Sequence, residues 1–225
     1  MTVDFHAHIL PKCDHGSSSL ETSLEQLSLA CDNGVDVICA TSHFYPDREN
    51  VKDFLAKRAH CYGKLSAAVE EGALAPRILL GAEVLACGGL EKIPELESLC
   101  LEGTNILLIE MPFGHWQESL FESMEALSLS KEFRPVLAHA DRYDPRNVER
   151  VLDMGVPIQL NVESLASVFS KKHLKEWIDR GVVVAFGSDI HGTDVGYRKW
   201  KKARERLKDS WDSVMRNTAD MINIK

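Results

Sequence analysis

Seven short apolar runs punctuate the chain, and each closes on polar residues: Val3–His8, Val35–His43, Arg77–Glu83, Ile106–Glu110, Pro135–His139, Pro157–Asn161 and Val182–His191. They are rich in Val, Ile and Leu on both faces, the pattern of strands buried on two sides in a parallel sheet. Between them the apolar period lengthens to that of helices. Leu20, Leu24, Leu27 and Cys31 form one stripe, opened by a capping-box spacing of Ser18 and Glu21 and closed by Gly34. A longer helix is predicted from Asp47 to Glu71, its stripe running through Val51, Phe54, Leu55, Tyr62, Leu65 and Val69. Shorter helices fit Glu91–Leu101, Trp116–Leu129, Pro145–Met154 and Lys171–Arg180, and the chain from Tyr197 to near its end reads as helical.

Strands alternating with helices imply a parallel sheet joined by right-handed crossovers. Every predicted strand ends, on its carboxyl side, in a residue able to bind a metal or a substrate. An open sheet would gather such residues near one switch point, whereas an α/β barrel spreads them around one rim. The expected fold is therefore α/β, a distorted (β/α)7 barrel, with 1–225 as a single domain.

Composition excludes several classes. At 44% hydrophobic and 27% charged residues the chain reads as an ordinary globular protein. It has no apolar run of the ~18 residues a spanning helix needs, and no basic-then-apolar leader, so a cytoplasmic protein without a membrane span is expected. A net charge of −8 argues against nucleic acid as a partner. Cations are nonetheless crowded in one late segment, with Arg198, Lys199, Lys201, Lys202, Arg204, Arg206 and Lys208 reading as a solvated helix face or an anion-attracting rim. None of the six cysteines has arginine six positions on, which removes the Cys-x5-Arg phosphatase loop. No phosphate-binding glycine fingerprint is present either.

The strand ends carry the chemistry. His6 and His8 are two apart on one strand and share a face, as do Asp189 and His191 on the last. His43, Glu83, Glu110 and His139 close four of the runs between them. Singly, each has a plain structural reading, as a hydrogen-bonded core histidine or a helix-capping carboxylate. Together they put costly ionisable groups at the same end of strand after strand, as a metal cage requires. His60, His115 and His173 lack that strand-end context.

The segments Asp4-Phe5-His6-Ala7-His8-Ile9-Leu10-Pro11, Ala40-Thr41-Ser42-His43, Gly81-Ala82-Glu83, Leu108-Ile109-Glu110, Ala138-His139-Ala140-Asp141-Arg142-Tyr143, Gln159-Leu160-Asn161 and Ser188-Asp189-Ile190-His191 occur in that order. In them the chain resembles the PHP (polymerase and histidinol phosphatase) metallohydrolases, and among these the manganese-dependent protein tyrosine phosphatases of capsule biosynthesis. The resemblance implies three divalent metal ions, manganese first, with iron or zinc able to use the same ligands. It assigns His6, His8, Glu83 and Asp189 to the first ion. Glu83 would bridge to a second held by Glu110 and His139. His43 and His191 would hold the third with a ligand from the Asp14-His15-Gly16 turn, where the family carries Asp-Asp-Gly. Both Asp14 and His15 are candidates there.

Three divalent ions against Glu83, Glu110 and Asp189 leave a local charge of roughly +3, so an acidic protein can present a positive pocket to a phosphate dianion. A metal-bound hydroxide would attack phosphorus in line. Arg142 and Arg198 match arginines that the resemblance places near the substrate, as clamps for phosphate oxygens. The implied activity is hydrolysis of phosphotyrosine in a protein such as a tyrosine-kinase tail, regulating polysaccharide synthesis. A PHP phosphoesterase acting on a small molecule or nucleotide, and a non-catalytic phosphoprotein-binding module, are the alternatives. An amidohydrolase or TatD-like nuclease shares the opening Asp-x-His-x-His but fits Glu110 and Ser188-Asp189-Ile190-His191 less well.

Overall fold

The structure is a computed structural model that describes residues 1–166, 172–193 and 196–223. Its elements in order are β1 (Val3–Ala7), α1 (Leu20–Asp32), β2 (Val37–Ala40), β3 (His43–Phe44), α2 (Val51–Glu70), β4 (Arg77–Leu80) and β5 (Glu83–Leu85). Then come β6 (Ile106–Glu110), α3 (Glu118–Leu129), β7 (Arg134–Leu137), α4 (Pro145–Asp153), β8 (Ile158–Asn161) and α5 (Val162–Ala166). The chain ends with α6 (Lys172–Asp179), β9 (Val183–Gly187), α7 (Trp200–Leu207) and α8 (Asp209–Met221).

All strand pairing is parallel, in two ladders ordered β1-β2-β4 and β3-β5-β6-β7-β8-β9. The ladders are parts of one curved surface. The predicted run Val35–His43 contains β2 and the start of β3, interrupted at Thr41-Ser42, and Arg77–Glu83 contains β4 and the start of β5, interrupted at Gly81-Ala82. Hydrogen bonds from Gly81 N to Ala40 O (2.9 Å) and from Glu83 N to Ser42 O (3.1 Å) carry the pairing through both breaks. At the other edge β9 approaches β1 through a single parallel bridge, Ala7 with Ile190, rather than a ladder. Asp189 N donates to His6 O at 2.7 Å across this seam. The result is a parallel α/β ring of seven strand runs whose last seam is closed loosely.

Helix α8 covers that seam. Thr218 Oγ1 donates to Val184 O at 2.7 Å, and Trp211 stacks on Phe186 at 5.0 Å while meeting Trp200 edge-on at 5.2 Å. Trp177, Trp200 and Trp211 are the bulkiest of the fully buried side chains among the described residues. Among the described residues no helix is long and apolar enough to cross a membrane.

Several helix boundaries differ from the sequence reading. The N-cap of α1 is Ser19, whose hydroxyl accepts from Thr22 N, instead of Ser18. Helix α2 begins at Val51 under an Asn50 cap, four residues after Asp47. In place of a helix over Glu91–Leu101 there are two 3-10 turns, Leu90–Lys92 and Leu96–Leu99. Pro94 stands between them, and Glu95 is left-handed at φ 62°, so no continuous helix can form. The C-terminal stretch is a 3-10 turn (Gly196–Lys199) followed by two helices, broken at Lys208 with φ 48°. Lys171 of the sixth predicted helix lies outside the described residues.

Candidate metal centre

The strand geometry delivers its promise at β1. Asp4 and His6 alternate along it, His8 continues the alternation one residue past its end, and all three are fully buried. His6 Nε2 and His8 Nε2 come to 3.1 Å, two imidazole nitrogens facing one point. Glu83 Oε2, from the start of β5, lies 3.2 Å from each. Asp189 Oδ1, two residues past β9, lies 3.6 and 3.4 Å from the same two nitrogens. A cation with bonds of about 2.1 Å separates neighbouring ligand atoms by roughly 3.0–3.4 Å, so these four donors stand at coordination-shell spacing.

Two further convergences share members with the first. Glu83 Oε1 sits 2.7 Å from His139 Nε2, which is 3.5 Å from Glu110 Oε1. His43 Nδ1 approaches Glu83 Oε2 at 3.0 Å and Glu110 Oε2 at 3.7 Å, so the imidazole expected at the third position also faces the second. His8, His43 and His191 form the remaining group, each offering a nitrogen within 4.8 Å of the others. His15 stacks at their edge, 4.6 Å from the His43 ring and 4.7 Å from that of His191.

Asp14 does different work. Its Oδ2 accepts from His8 Nδ1 at 2.9 Å and from His43 N at 3.0 Å, and its Oδ1 accepts from Gly16 N at 2.9 Å. Oδ2 thus holds His8 by its Nδ1 and turns Nε2 toward the cluster, while Oδ1 closes the turn at Gly16. Gln159 plays the same part beneath His6. Its Oε1 lies 3.2 Å from His6 Nδ1 and accepts from His139 N at 2.7 Å. Gln159 Nε2 donates to Asn161 Oδ1 at 3.0 Å, and Asn161 Nδ2 donates to Asp189 Oδ2 at 3.0 Å. Asp4 ties the seam behind them, accepting from Ser188 N at 2.8 Å and from the Tyr197 hydroxyl. The sequence reading placed no role on Gln159 or Asp4. Their signal was alternation, since Gln159 shares a strand face with Asn161, and Asp4 with His6.

Do these residues fit a metal? Several buried polar atoms have no hydrogen-bond partner: both nitrogens of His43, Glu83 Oε2, His139 Nδ1 and His191 Nε2. Buried polar atoms are normally satisfied, so orphans converging on one place mark a missing ligand. Charge agrees. Burial opposes ionisation of Glu83, but His6 beside it and the hydrogen bond to His139 hold its pKa well below the usual carboxylate range. Burial likewise opposes charge on His8, but the hydrogen bond to Asp14 and the nearby carboxylates of Asp189 and Glu83 raise its pKa well above the usual imidazole value. His139 is carried against its burial to about 9 by Glu110 and Glu83. Burial and the charge of His8 push His191 down to about 4. The imidazoles and carboxylates thus shift one another toward their charged forms, a coupling that divalent cations can take over.

The backbone is shaped to the cluster. His139 (φ 31°) and Asp189 (φ 51°) are left-handed without being glycine, the strain that collects at functional sites. Gly187 lies directly under His6: a Cβ there would stand 2.5 Å from His6 Cβ and 2.9 Å from Gln159 Nε2. Gly187→Ala is therefore expected to displace His6, weaken metal binding about tenfold or more and cost about 1–3 kcal/mol of stability. Gly63→Ala in α2, where an added methyl meets nothing within 4 Å, should instead stabilise by about 0.5–1 kcal/mol. Metal titration and thermal melts of both variants check this, and unchanged metal affinity in Gly187→Ala would refute the cradle.

Of the two arginines, Arg142 reaches the cluster, its guanidinium hydrogen-bonded to Asp189 Oδ2. Arg198 is exposed on the turn after His191 and pairs with none of the cluster's carboxylates. His60, His115 and His173 stand in none of the three candidate metal groups.

A parallel α/β ring with imidazoles and carboxylates gathered at the carboxyl ends of its strands is the architecture of the metal-binding α/β barrels. The chain belongs to the CpsB/CapC family of capsular polysaccharide synthesis, whose family model matches residues 2–223. Tyrosine-protein phosphatase CpsB of Streptococcus agalactiae is 28% identical over 210 residues, covering 86% of this chain and 84% of the relative. A chain from the crystal structures of YwqE from Bacillus subtilis and CpsB from Streptococcus pneumoniae, unique metal-dependent tyrosine phosphatases, superposes with a TM-score of 0.84 at 22% identity, covering 100% of this chain and 96% of that one. The phosphotriesterase homology protein from Escherichia coli shares the fold more distantly, with a TM-score of 0.57 at 13% identity and 98% of both chains covered.

Proposed function

We propose that this protein is a metal-dependent protein tyrosine phosphatase acting in capsular polysaccharide synthesis. The observation that carries the reading is the buried convergence of His6, His8, Glu83 and Asp189 with orphaned donors on His43, His139 and His191, in a chain of this family. His6, His8, Glu83 and Asp189 would hold one cation, with Glu83 bridging to a second held by Glu110 and His139. His43 and His191 would hold a third. Because the oxygens of Asp14 are already engaged, His15 is the better candidate to complete that set. Nitrogen and oxygen donors of this kind suit manganese, and iron or zinc as well. The ions would supply Lewis-acid charge at the phosphoryl group and a water ionised near neutral pH.

The chain's own residues supply orientation and anion binding. Asp14 and Gln159 fix His8 and His6 by their Nδ1 atoms, which leaves each Nε2 as the donor. Arg142 spends one N–H on Asp189 and retains others for phosphate oxygens. Arg198 belongs to the positive rim outside. The substrate is a phosphotyrosine-bearing protein such as a kinase tail, met in the cytoplasm. Six free cysteines suit such a reducing compartment.

Purified protein with manganese is expected to hydrolyse a phosphotyrosyl peptide, to lose at least about a hundredfold in rate when the metal is chelated, and to recover on its return. Activity that survives verified metal removal sinks the reading. A phosphoprotein-binding module would bind the peptide without turnover, and a small-molecule phosphoesterase would prefer its own ester over the peptide.

A further inference from the structure

The segment from Arg198 to Lys208 carries seven cations and one acid, Glu205, a local charge of +6 in a chain whose remainder sums to −14. It comprises the turn after His191 and helix α7. Trp200 and Ala203 face inward and are buried, so the cations are turned outward. Lys201, Lys202, Arg204 and Lys208 are exposed and have no ion pair within 4 Å among the described residues. With Glu205 and Asp212, three of them line a recess of about 370 Å³.

This arrangement is poorly explained as a device for stability. Lys199 is the N-cap of α7 and offers no side-chain cap, and the first turn has no acid but contains Lys201 and Lys202. Lys201 and Lys202 at the positive end of the helix oppose its dipole, whereas Arg204 and Arg206 in the last turn suit it. An anionic partner would relieve that opposition. The strip also follows directly on residues that brace the metal centre. Tyr197, beside Arg198, donates to Asp4 behind His6, and Lys199 pairs with Glu163, two residues after Asn161.

We propose that α7 is a docking surface for an acidic stretch flanking the phosphotyrosine of the substrate protein. A protein segment is favoured over an anionic membrane because Trp200 and Ala203 of α7 are buried and Leu207 packs against the core, so its outer face is charged rather than apolar. The inference rests on the phosphatase reading for its substrate, but docking can be read without turnover.

The test uses the full chain with manganese, two phosphotyrosyl peptides that differ only in glutamate or glutamine flanks, and p-nitrophenyl phosphate. The acidic peptide should show kcat/KM about tenfold or more above the neutral one, through KM, and the gap should close at high salt. The quadruple variant Lys201→Gln, Lys202→Gln, Arg204→Gln, Lys208→Gln should abolish that gap and leave p-nitrophenyl phosphate hydrolysis unchanged. In parallel, fluorescence anisotropy of a labelled, unphosphorylated acidic peptide should show binding to wild type and at least tenfold weaker binding to the variant. Equal treatment of both peptides by wild type, or a preference that survives the quadruple change, overturns the proposal. So does binding to phosphatidylserine vesicles without peptide preference. If nothing is hydrolysed yet acidic peptide still binds through α7, the phosphatase reading fails and the docking surface stands.

Discussion

Glu83→Gln is expected to strip the protein of metal and to lower kcat/KM by about a thousandfold or more, about 4 kcal/mol of transition-state stabilisation. Glu83 is the residue on which the cluster turns. One of its oxygens meets His6, His8 and His43 within 3.2 Å, and the other meets His139 at 2.7 Å. Glutamine keeps the shape and removes the negative charge, so two candidate cation positions lose their shared ligand at once. Replacing residues behind a metal ligand already costs about 10–100-fold in affinity or activity, and a shared ligand should cost more. The fold should survive, since β5 pairs with β3 and β6 through backbone hydrogen bonds that the side chain does not enter. Metal content by elemental analysis and phosphatase kinetics on the same preparation check this. A variant that keeps its metal and its rate would remove Glu83 from the centre.

The ligand cluster was legible in the sequence because its members obey a rule of spacing. His6 and His8 must share a face, and polar residues that end parallel strands must gather at one rim. Uncharged struts were less legible. Gln159 joins His6 to the backbone of His139, and Asn161 reaches Asp189, through contacts between strands that only the assembled ring creates. The three hydrogen bonds that Asp14 accepts were equally hidden, one of them from a residue 29 positions away.

The helices show the same division. Pro94, in the middle of Glu91–Leu101, is a sequence signal against a continuous helix there, and two 3-10 turns form on either side of it. The break at Lys208 carried no such signal, neither glycine nor proline. There the packing of Trp200 against Trp211 accompanies a reversal that local preference does not forecast. Sequence periodicity reports what a segment buries, and tertiary contact decides where it bends.

Arg142→Ala should separate anion binding from metal binding. The guanidinium is 40% exposed, hydrogen-bonds to Asp189, and follows the left-handed His139 by three residues in a 3-10 turn. Its loss removes paired donors to phosphate oxygens, and removing one such preorganised donor typically costs about 10²–10³ in rate, about 2.7–4 kcal/mol. Asp189 keeps its hydrogen bond from Asn161 and its place beside His6 and His8, so metal content should stay near that of wild type. Arg142→Lys should recover only part of the rate, because an ammonium cannot reproduce the planar fork. The comparison with Glu83→Gln then decides what each residue does. If Arg142→Ala loses metal together with activity, the arginine acts through Asp189 as a positioning residue. If it keeps metal and loses turnover on both peptide and p-nitrophenyl phosphate, it binds the phosphoryl group itself. Wild-type rates on both substrates would leave the anion to the cations alone.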